Sequence, residues 1–317
     1  MKKMKNKKAQ VFTLIAISLI GLLFLTFSIY SYIDKRHPVE VRVSSMESFL
    51  GSIEQNLERQ MYISGFRIIF LAQNQIILTG NYITDTGDFF NEAFYNGSVD
   101  SVQMDGAGGI LDGATYDFLV DSINDKAKKI NVDVTLSNSV ITVDQVDPWH
   151  VRFSIVSDFL MEDKSGLAKW EKRQNISALI PINSFEDPIY TVNTNAKISK
   201  KFNQTIFEGD YVNGNDVSNL LSHVQNEYYS NNSNAPSFLK RLEGDLSADE
   251  NGIESFVNTN RLAQEGLPVS DKTKIDYIYF DNGLNPVDYH VTGMPAWFTI
   301  DDQNGHLEKY QVVGLTF

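Results

Sequence analysis

The 317-residue sequence contains no cysteine. That excludes a disulfide framework, a thiolate metal site and a cysteine nucleophile. It contains no H-E-x-x-H, and its five histidines (His37, His150, His223, His290 and His306) stand at no ligand spacing. No G-x-S-x-G occurs, so a nucleophile elbow is missing. No internal repeat is present. Positive charge is scarce, with 27 Lys and Arg against 40 Asp and Glu, for a net charge of −13. Five of the lysines (Lys2, Lys3, Lys5, Lys7 and Lys8) crowd into residues 1–10, which hold no acid; subtracting them leaves −18 for residues 11–317. A body that acidic repels phosphates, which argues against DNA or RNA as a partner. The 42% apolar and 12% aromatic content excludes a disordered chain.

What is present begins with an uncharged run. Residues 11–33, VFTLIAISLIGLLFLTFSIYSYI, hold 23 positions without a charge. As a helix they span about 35 Å, enough for a hydrocarbon core of roughly 30 Å. Tyr30 and Tyr32 sit at the far end, where amphipathic rings prefer the interface. The leading lysines outnumber the following Lys35 and Arg36, so the positive-inside bias places the N-terminus in the cytoplasm and residues 34–317 outside. The run is longer than the apolar region of a cleavable secretory signal and lacks the small residues of its cleavage site. The expectation is a single-pass anchor in the cell membrane, with the lipid bilayer as first partner.

The residues ahead of the run, Lys7-Lys8-Ala9-Gln10, resemble the class III signal of archaeal type IV pilin-like proteins. The resemblance implies cleavage on the cytoplasmic side between Ala9 and Gln10, with the helix retained on the mature protein and other pilin-like subunits or surface proteins as partners. Such pilins usually carry Glu at the fifth mature position, where this chain has Leu14. Two further stretches, Ala235–Gly244 and Gly252–Phe256, resemble segments of archaeal membrane-anchored proteins of unknown function, and the resemblance implies no activity.

Beyond the anchor, Pro38 is expected to interrupt any continuous helix within a linker over 34–43. Ser44 and Glu47 have capping-box spacing and open a second helix. Its apolar stripe runs through Met46, Phe49, Leu50, Ile53, Leu57, Met61, Phe66, Ile69 and Phe70 and stops near Gly80. Residues 81–112 read as loops with short structure. Thr115–Ile130 reads as an amphipathic helix with Phe118, Leu119, Ile123 and Ala127 on its apolar side. Strand signals follow at Val132–Leu136, Val140–Val143, Val151–Leu160 and Ile176–Ile182, with Asn138 and Ser165-Gly166 as turns. After a boundary at 185, helices are expected over Val217–Tyr229 and Ser237–Leu242 and from Gly252 to Val257. Strands are expected over Ile275–Phe280 and Trp297–Ile300, and a packed tail over His306–Leu315. The expected fold is therefore α+β: an N-terminal transmembrane helix, then an amphipathic helix packed on an antiparallel β-meander, then a second mixed α+β domain. The segments are 1–10 leader, 11–33 transmembrane helix, 34–185 and 186–317.

No catalytic, cofactor-binding or metal-binding residue emerges, and the chain is not expected to be an enzyme. Asp105–Gly113 departs from a phosphate loop at Leu111. Ser247–Gly252 departs from a calcium loop at Ser247 and at Asn258. The paired acids Glu186-Asp187 and Asp301-Asp302 read as solvated loop residues, and Arg241 with Glu243 as a structural pair. Four N-x-[ST] sequons, at Asn96, Asn175, Asn203 and Asn231, lie on the expected outside, where glycosylation is possible. The function these features suggest is a membrane-anchored, extracytoplasmic surface protein in filament structure, adhesion or assembly. The alternatives are a tethered hydrolase or a carbohydrate-binding module stacking sugars on Trp149, Trp170 or Trp297.

Overall fold

The computed structural model describes the backbone of residues 7–317 and the side chains of residues 11–32 and 39–317. The chain is mixed α+β, with an N-terminal apolar helix and antiparallel sheets. Helix α1 runs from Lys7 to Thr79 as a single element of 73 residues. The expected break at Pro38 does not occur. A proline inside a helix forgoes one hydrogen bond at a cost of about 3 kcal/mol, while an existing helix elongates by gaining one bond per residue fixed. Ser44 therefore lies mid-helix and caps nothing; its carbonyl accepts from Ser48 Oγ at 2.9 Å. The helix ends where the sequence suggests, with Gly80 in the left-handed region at φ 70° and its N–H on Ile76 O at 2.9 Å.

Two halves of α1 differ in what surrounds them. Val11–Tyr32 is long and apolar enough to cross a membrane, and none of it is buried against the rest of the chain. From residue 39 onward one face is covered. Met46, Ile53, Leu57, Met61, Ile68, Ile69, Ala72 and Ile76 are buried, while Phe49, Leu50 and Phe66 are half-buried. Phe70 points outward, contrary to the expected stripe. At 3.6 residues per turn a buried row drifts around the axis, and by residue 70 the covered face is carried by Ile69 and Ala72.

What covers it is a meander. Helices α2 (Thr86–Asn91) and a π-helical turn (Glu92–Asn96) lead to the hairpin β1 (Ser98–Val99) and β2 (Val102–Gln103). Helix α3 (Tyr116–Lys129) follows, capped by Thr115 Oγ1 accepting from Phe118 N–H, with Lys126, Lys128 and Lys129 in its last turn. Leu119, Ile123 and Ala127 are buried, whereas Phe118 is exposed. Strands β3 (Val132–Asp147), β4 (His150–Asp163) and β5 (Lys169–Pro181) form an antiparallel sheet in that order. Asn138 is not a turn between two strands. It is a bulge within β3, left-handed at φ 50°, where the register slips between Ser137 and Val140. Gly166 makes the β4–β5 turn at φ 69°.

The sheet and the helix ascend together. Arg42 Nε donates to Asp163 Oδ1 at 2.6 Å, Gln174 Nε2 donates to Glu54 at 2.7 Å, and Gln73 Nε2 donates to the Glu186 carbonyl at 2.5 Å. Between Glu54 and Gly65 the helix rises about 17 Å. Between Gln174 and Ile180 the strand rises about 20 Å. The β4–β5 turn therefore lies at the end of the sheet nearer residues 11–32, and the β3–β4 turn at Pro148-Trp149 lies at the far end.

The remaining elements are short. They are α4 (Pro188–Asn193), α5 (Ser218–Gln225), β6 (Tyr229–Asn231), α6 (Phe238–Glu243), β7 (Ile253–Ser255), α7 (Thr259–Gln264), α8 (Asp276–Tyr279), β8 (Asp288–His290), β9 (Thr299–Asp301) and α9 (His306–Lys309). Two expectations reverse here. Gly252–Val257 is not a helix but holds β7, paired antiparallel to β6, and a Cβ at Gly252 would overlap the carbonyls of Asn232 and Ala235. Ile275–Phe280 is not a strand but one helical turn, α8, with all four of its residues buried. The expected helices over 217–229 and 237–242 appear as α5, shorter than expected, and α6. The strand expected over 297–300 is met only at its end, by β9, with Trp297 and Phe298 ahead of it in a turn, and Tyr310 and Val312 of the tail are buried. The apolar core of α1, α3 and the meander continues into this region through Phe202, Tyr229, Phe238, Leu242 and Ile253. Phe185 stacks on Phe238 with centroids 5.9 Å apart.

Candidate functional site

Three arrangements of polar side chains stand out, and two are sealed. The first is centred on Arg241 of α6. Its guanidinium donates to Asp187 at 2.6 Å and Asp276 at 3.0 Å, and to the Ile253 carbonyl. Asp187 is the N-cap of α4, accepting from Ile189 N–H at 2.9 Å, and also takes the Tyr229 hydroxyl at 2.7 Å. Lys200 adds a second cation, donating to Ser255 Oγ at 2.7 Å, while Ser255 Oγ donates to Asp276 at 2.7 Å. Two cations thus face two carboxylates. Burial pushes the Lys200 ammonium down to about 8, and burial pushes the Asp187 carboxyl up against the opposing pull of Arg241. A Ser–Lys–Asp set of this kind suits nucleophilic chemistry only where substrate reaches the serine. Ser255 and Asp276 are fully buried and Lys200 is 3% exposed, so the cluster holds α4, α6, β7 and α8 together and meets no substrate.

The second arrangement fastens α9. His306 Nδ1 lies 2.8 Å from Asp301, its Nε2 3.3 Å from Glu254, and Lys309 Nζ 2.6 Å from Glu254. Burial opposes the imidazolium, but the two carboxylates overcome it and raise His306 to about 9. Burial also raises the cost of the Glu254 charge, yet Lys309 and His306 hold this carboxyl well below the usual range. Nearby, His223 is fully buried with Thr205 Oγ1 2.9 Å from its Nδ1, and burial lowers it to about 3.

The third arrangement is open. A cleft of about 340 Å³ lies where the β3–β4 turn and the end of β5 meet residues 202–204, lined by Trp149, His150, Pro181, Asn183, Phe202, Asn203, Gln204 and Tyr228. Its walls are fixed by backbone bonds. Asp147 Oδ1 accepts from Trp149 N–H at 2.7 Å, Ile182 N–H donates to the Trp149 carbonyl at 3.0 Å, and Tyr229 N–H donates to the Asn203 carbonyl at 2.7 Å. His150 Nδ1 lies 3.0 Å from Asp147, which leaves Nε2 as its other polar edge.

Among the sites expected from sequence, Ala9 and Gln10 lie outside the residues whose side chains the structure describes. Asn96, Asn175, Asn203 and Asn231 are all exposed, Asn175 on β5 and Asn203 in the cleft. Trp149, Trp170 and Trp297 are each half-buried. The acids Asp187 and Asp301, expected in solvent, are fully buried. Arg241 pairs with Asp187 and Asp276, and Glu243 instead accepts from Thr86 N–H at 2.9 Å and Thr86 Oγ1 at 2.7 Å. Asp249 spends its carboxylate on Ser237 Oγ and Asn251 N–H. Among the described residues no group of three or more His, Asp or Glu is placed to hold a metal ion.

Comparison with protein-family models, curated proteins and solved structures gave no match. Sequence reasoning missed the partnership of Arg241 with two acids. Its one visible trace was that Arg241 falls within α6 at Ala235–Gly244, a stretch otherwise rich in buried apolar residues.

Proposed function

We propose that this chain is a single-pass membrane-anchored surface protein whose α+β head is held outside the cell on the continuation of its own transmembrane helix, acting as a pilin-like filament, adhesion or assembly component. The observation that carries the proposal is the divided character of α1, with Val11–Tyr32 bare and apolar and residues from Met46 to Ile76 forming the spine of the head. Among the described residues Arg42 is the first of α1 to bond the sheet, and it follows Tyr32 by ten positions, about 15 Å of helix. The head therefore begins just beyond the depth at which headgroups end, and its C-terminal elements stand farther out. The lysines at 2–8 and the uncharged run after them support a cytoplasmic N-terminus. Lys7-Lys8-Ala9-Gln10 supports leader cleavage before Gln10, and the Leu14 at the fifth mature position sets the chain apart from pilins with a Glu there.

Protease added to intact spheroplasts tests the topology. Loss of the head with a protected N-terminal tip is the expected result, and protection of the whole chain would refute the assignment. N-terminal sequencing of the membrane-extracted protein reads the processing step: Gln10 is expected, and an intact Met1 leaves a plain signal anchor outside the pilin route.

A further inference from the structure

We propose that the open cleft at the far end of the sheet binds a neutral saccharide. Its volume of about 340 Å³ suits a small ligand of a few rings at most. Trp149 and Tyr228 line the cleft and are half-buried, so each ring is anchored in the protein and keeps part of its surface exposed. Aromatic faces of this kind pack against the C–H faces of pyranose rings. Asn183, Asn203 and Gln204 are exposed, and their side-chain amides make no internal hydrogen bond. Each amide both donates and accepts, which matches sugar hydroxyls that do the same. Charge is nearly missing from the lining. His150 is the lining's one imidazole, and Asp147 holds its Nδ1 edge. With no lysine or arginine among the lining residues, the cleft offers no charge-assisted fork to a phosphate, sulfate or carboxylate. The walls are set by the backbone bonds of the β3–β4 turn and of residues 203–205, so little ordering cost falls on binding.

A saccharide has two routes to this cleft. It arrives free, or it is the chain's own glycan, because Asn203 is itself a sequon residue. The full chain in detergent, produced once without N-glycosylation and once from its native membrane, separates the two. Labelling with 5-fluorotryptophan gives three 19F resonances, assigned by Trp149→Phe, Trp170→Phe and Trp297→Phe. The probes are mannotriose, chitotriose and maltotriose, with trigalacturonate as the anionic control.

The expected result is a saturable shift of the Trp149 resonance alone with at least one neutral probe, and a weaker response to trigalacturonate. Asn183→Ala and Gln204→Ala, at exposed positions that leave the fold intact, should each weaken binding by about two- to tenfold. Trp149→Ala, which removes the reporting ring and is therefore read by isothermal titration calorimetry with the same probes, should weaken it by more than about tenfold. If the unglycosylated chain is silent, but enzymatic deglycosylation of the native chain shifts Trp149, the sugar in the cleft is the chain's own. No response to any neutral probe up to about 20 mM and no shift on deglycosylation overturns the proposal, as does tighter binding of the anionic control. Binding is read on the solubilised chain, so this result stands apart from the outcome of the topology experiment.

Discussion

Replacing Gly65 and Gly51 of α1 by alanine should move stability in opposite directions. Both glycines lie inside the same helix, and on intrinsic propensity each substitution gains about 1 kcal/mol by reducing the entropy lost on folding. Gly51 is exposed, and a Cβ there meets nothing within 4 Å. That propensity gain should appear undiminished. Gly65 is buried against the sheet, and a Cβ there would lie 2.9 Å from both Cβ and Cγ of Phe153 and overlap the Ile180 side-chain tip. The Ile180 methyl can swing aside. Phe153 Cβ cannot, because it sits one bond from the backbone of the central strand and Phe153 is packed against Phe94 with centroids 5.5 Å apart. Helix and sheet must separate by several tenths of an ångström, an overpacking cost of about 1–3 kcal/mol. The net expectation is a loss of about 0–2 kcal/mol at position 65 against a gain of about 1 kcal/mol at position 51. At roughly 2–4 °C per kcal/mol, thermal melting of the full chain in detergent should place the two variants some 2–12 °C apart, with Gly65→Ala the lower. Melting of Gly65→Ala at or above Gly51→Ala would show that the helix and sheet are not in contact there.

Removing the central cation, Arg241→Met, leaves Asp187 and Asp276 buried with no guanidinium between them and should cost about 3–5 kcal/mol by chemical denaturation, with part of the loss recovered when Asp187→Asn is added. Ile53→Asp or Leu57→Asp places an unpaired charge in the core and should cost several kcal/mol; wild-type melting of both would mean the stripe is exposed. The two buried histidines should shape the pH dependence of stability from opposite sides. His306 is raised to about 9, so its contribution is complete below about 6.5 and is lost as pH climbs from there to 9. His223 is lowered to about 3, so its neutral form costs nothing above about 6.5, and stability falls as pH drops from there towards 3. Urea midpoints measured from pH 4 to 9 should flatten on the alkaline side in His306→Gln and on the acid side in His223→Gln, and an unchanged limb in either variant contradicts the corresponding assignment.

Periodicity made the first half of the molecule readable. The stripe from Met46 to Met61, the Thr115 cap of α3 and the glycine turn at 166 are local signals, and each fixes its element without help from distant sequence. Where local signals misled, a distant partner had decided the matter. The alternation in Ile275–Phe280 suits a strand, but a single buried turn of helix exposes no polar face to betray itself. Asp187 looked solvated because its cation, Arg241, lies 54 residues away. Asn138 carries the residue type of a turn, and only the pairing of β3 with β4 on both sides of it makes it a bulge. Trp149 and the Asn203 sequon were legible singly, but the cleft was not, because its amides come from two separate segments that approach only in the fold.

The shared ascent of α1 and β5 also fixes a schedule. The bonds from Arg42 to Asp163, Glu54 to Gln174 and Gln73 to Glu186 join residues 121, 120 and 113 positions apart. At these three levels the helix waits for a partner made about the same interval later. At roughly 5–20 residues per second of synthesis, that interval is on the order of 6–24 s. Until then the apolar face from Met46 to Ile76 has α3 and β4 to pack on but lacks β5, the strand it meets along most of its length. The contact with β5 closes along its length once residues 163–186 are in place, and a chain stopped before that leaves the β5-facing side of its spine uncovered.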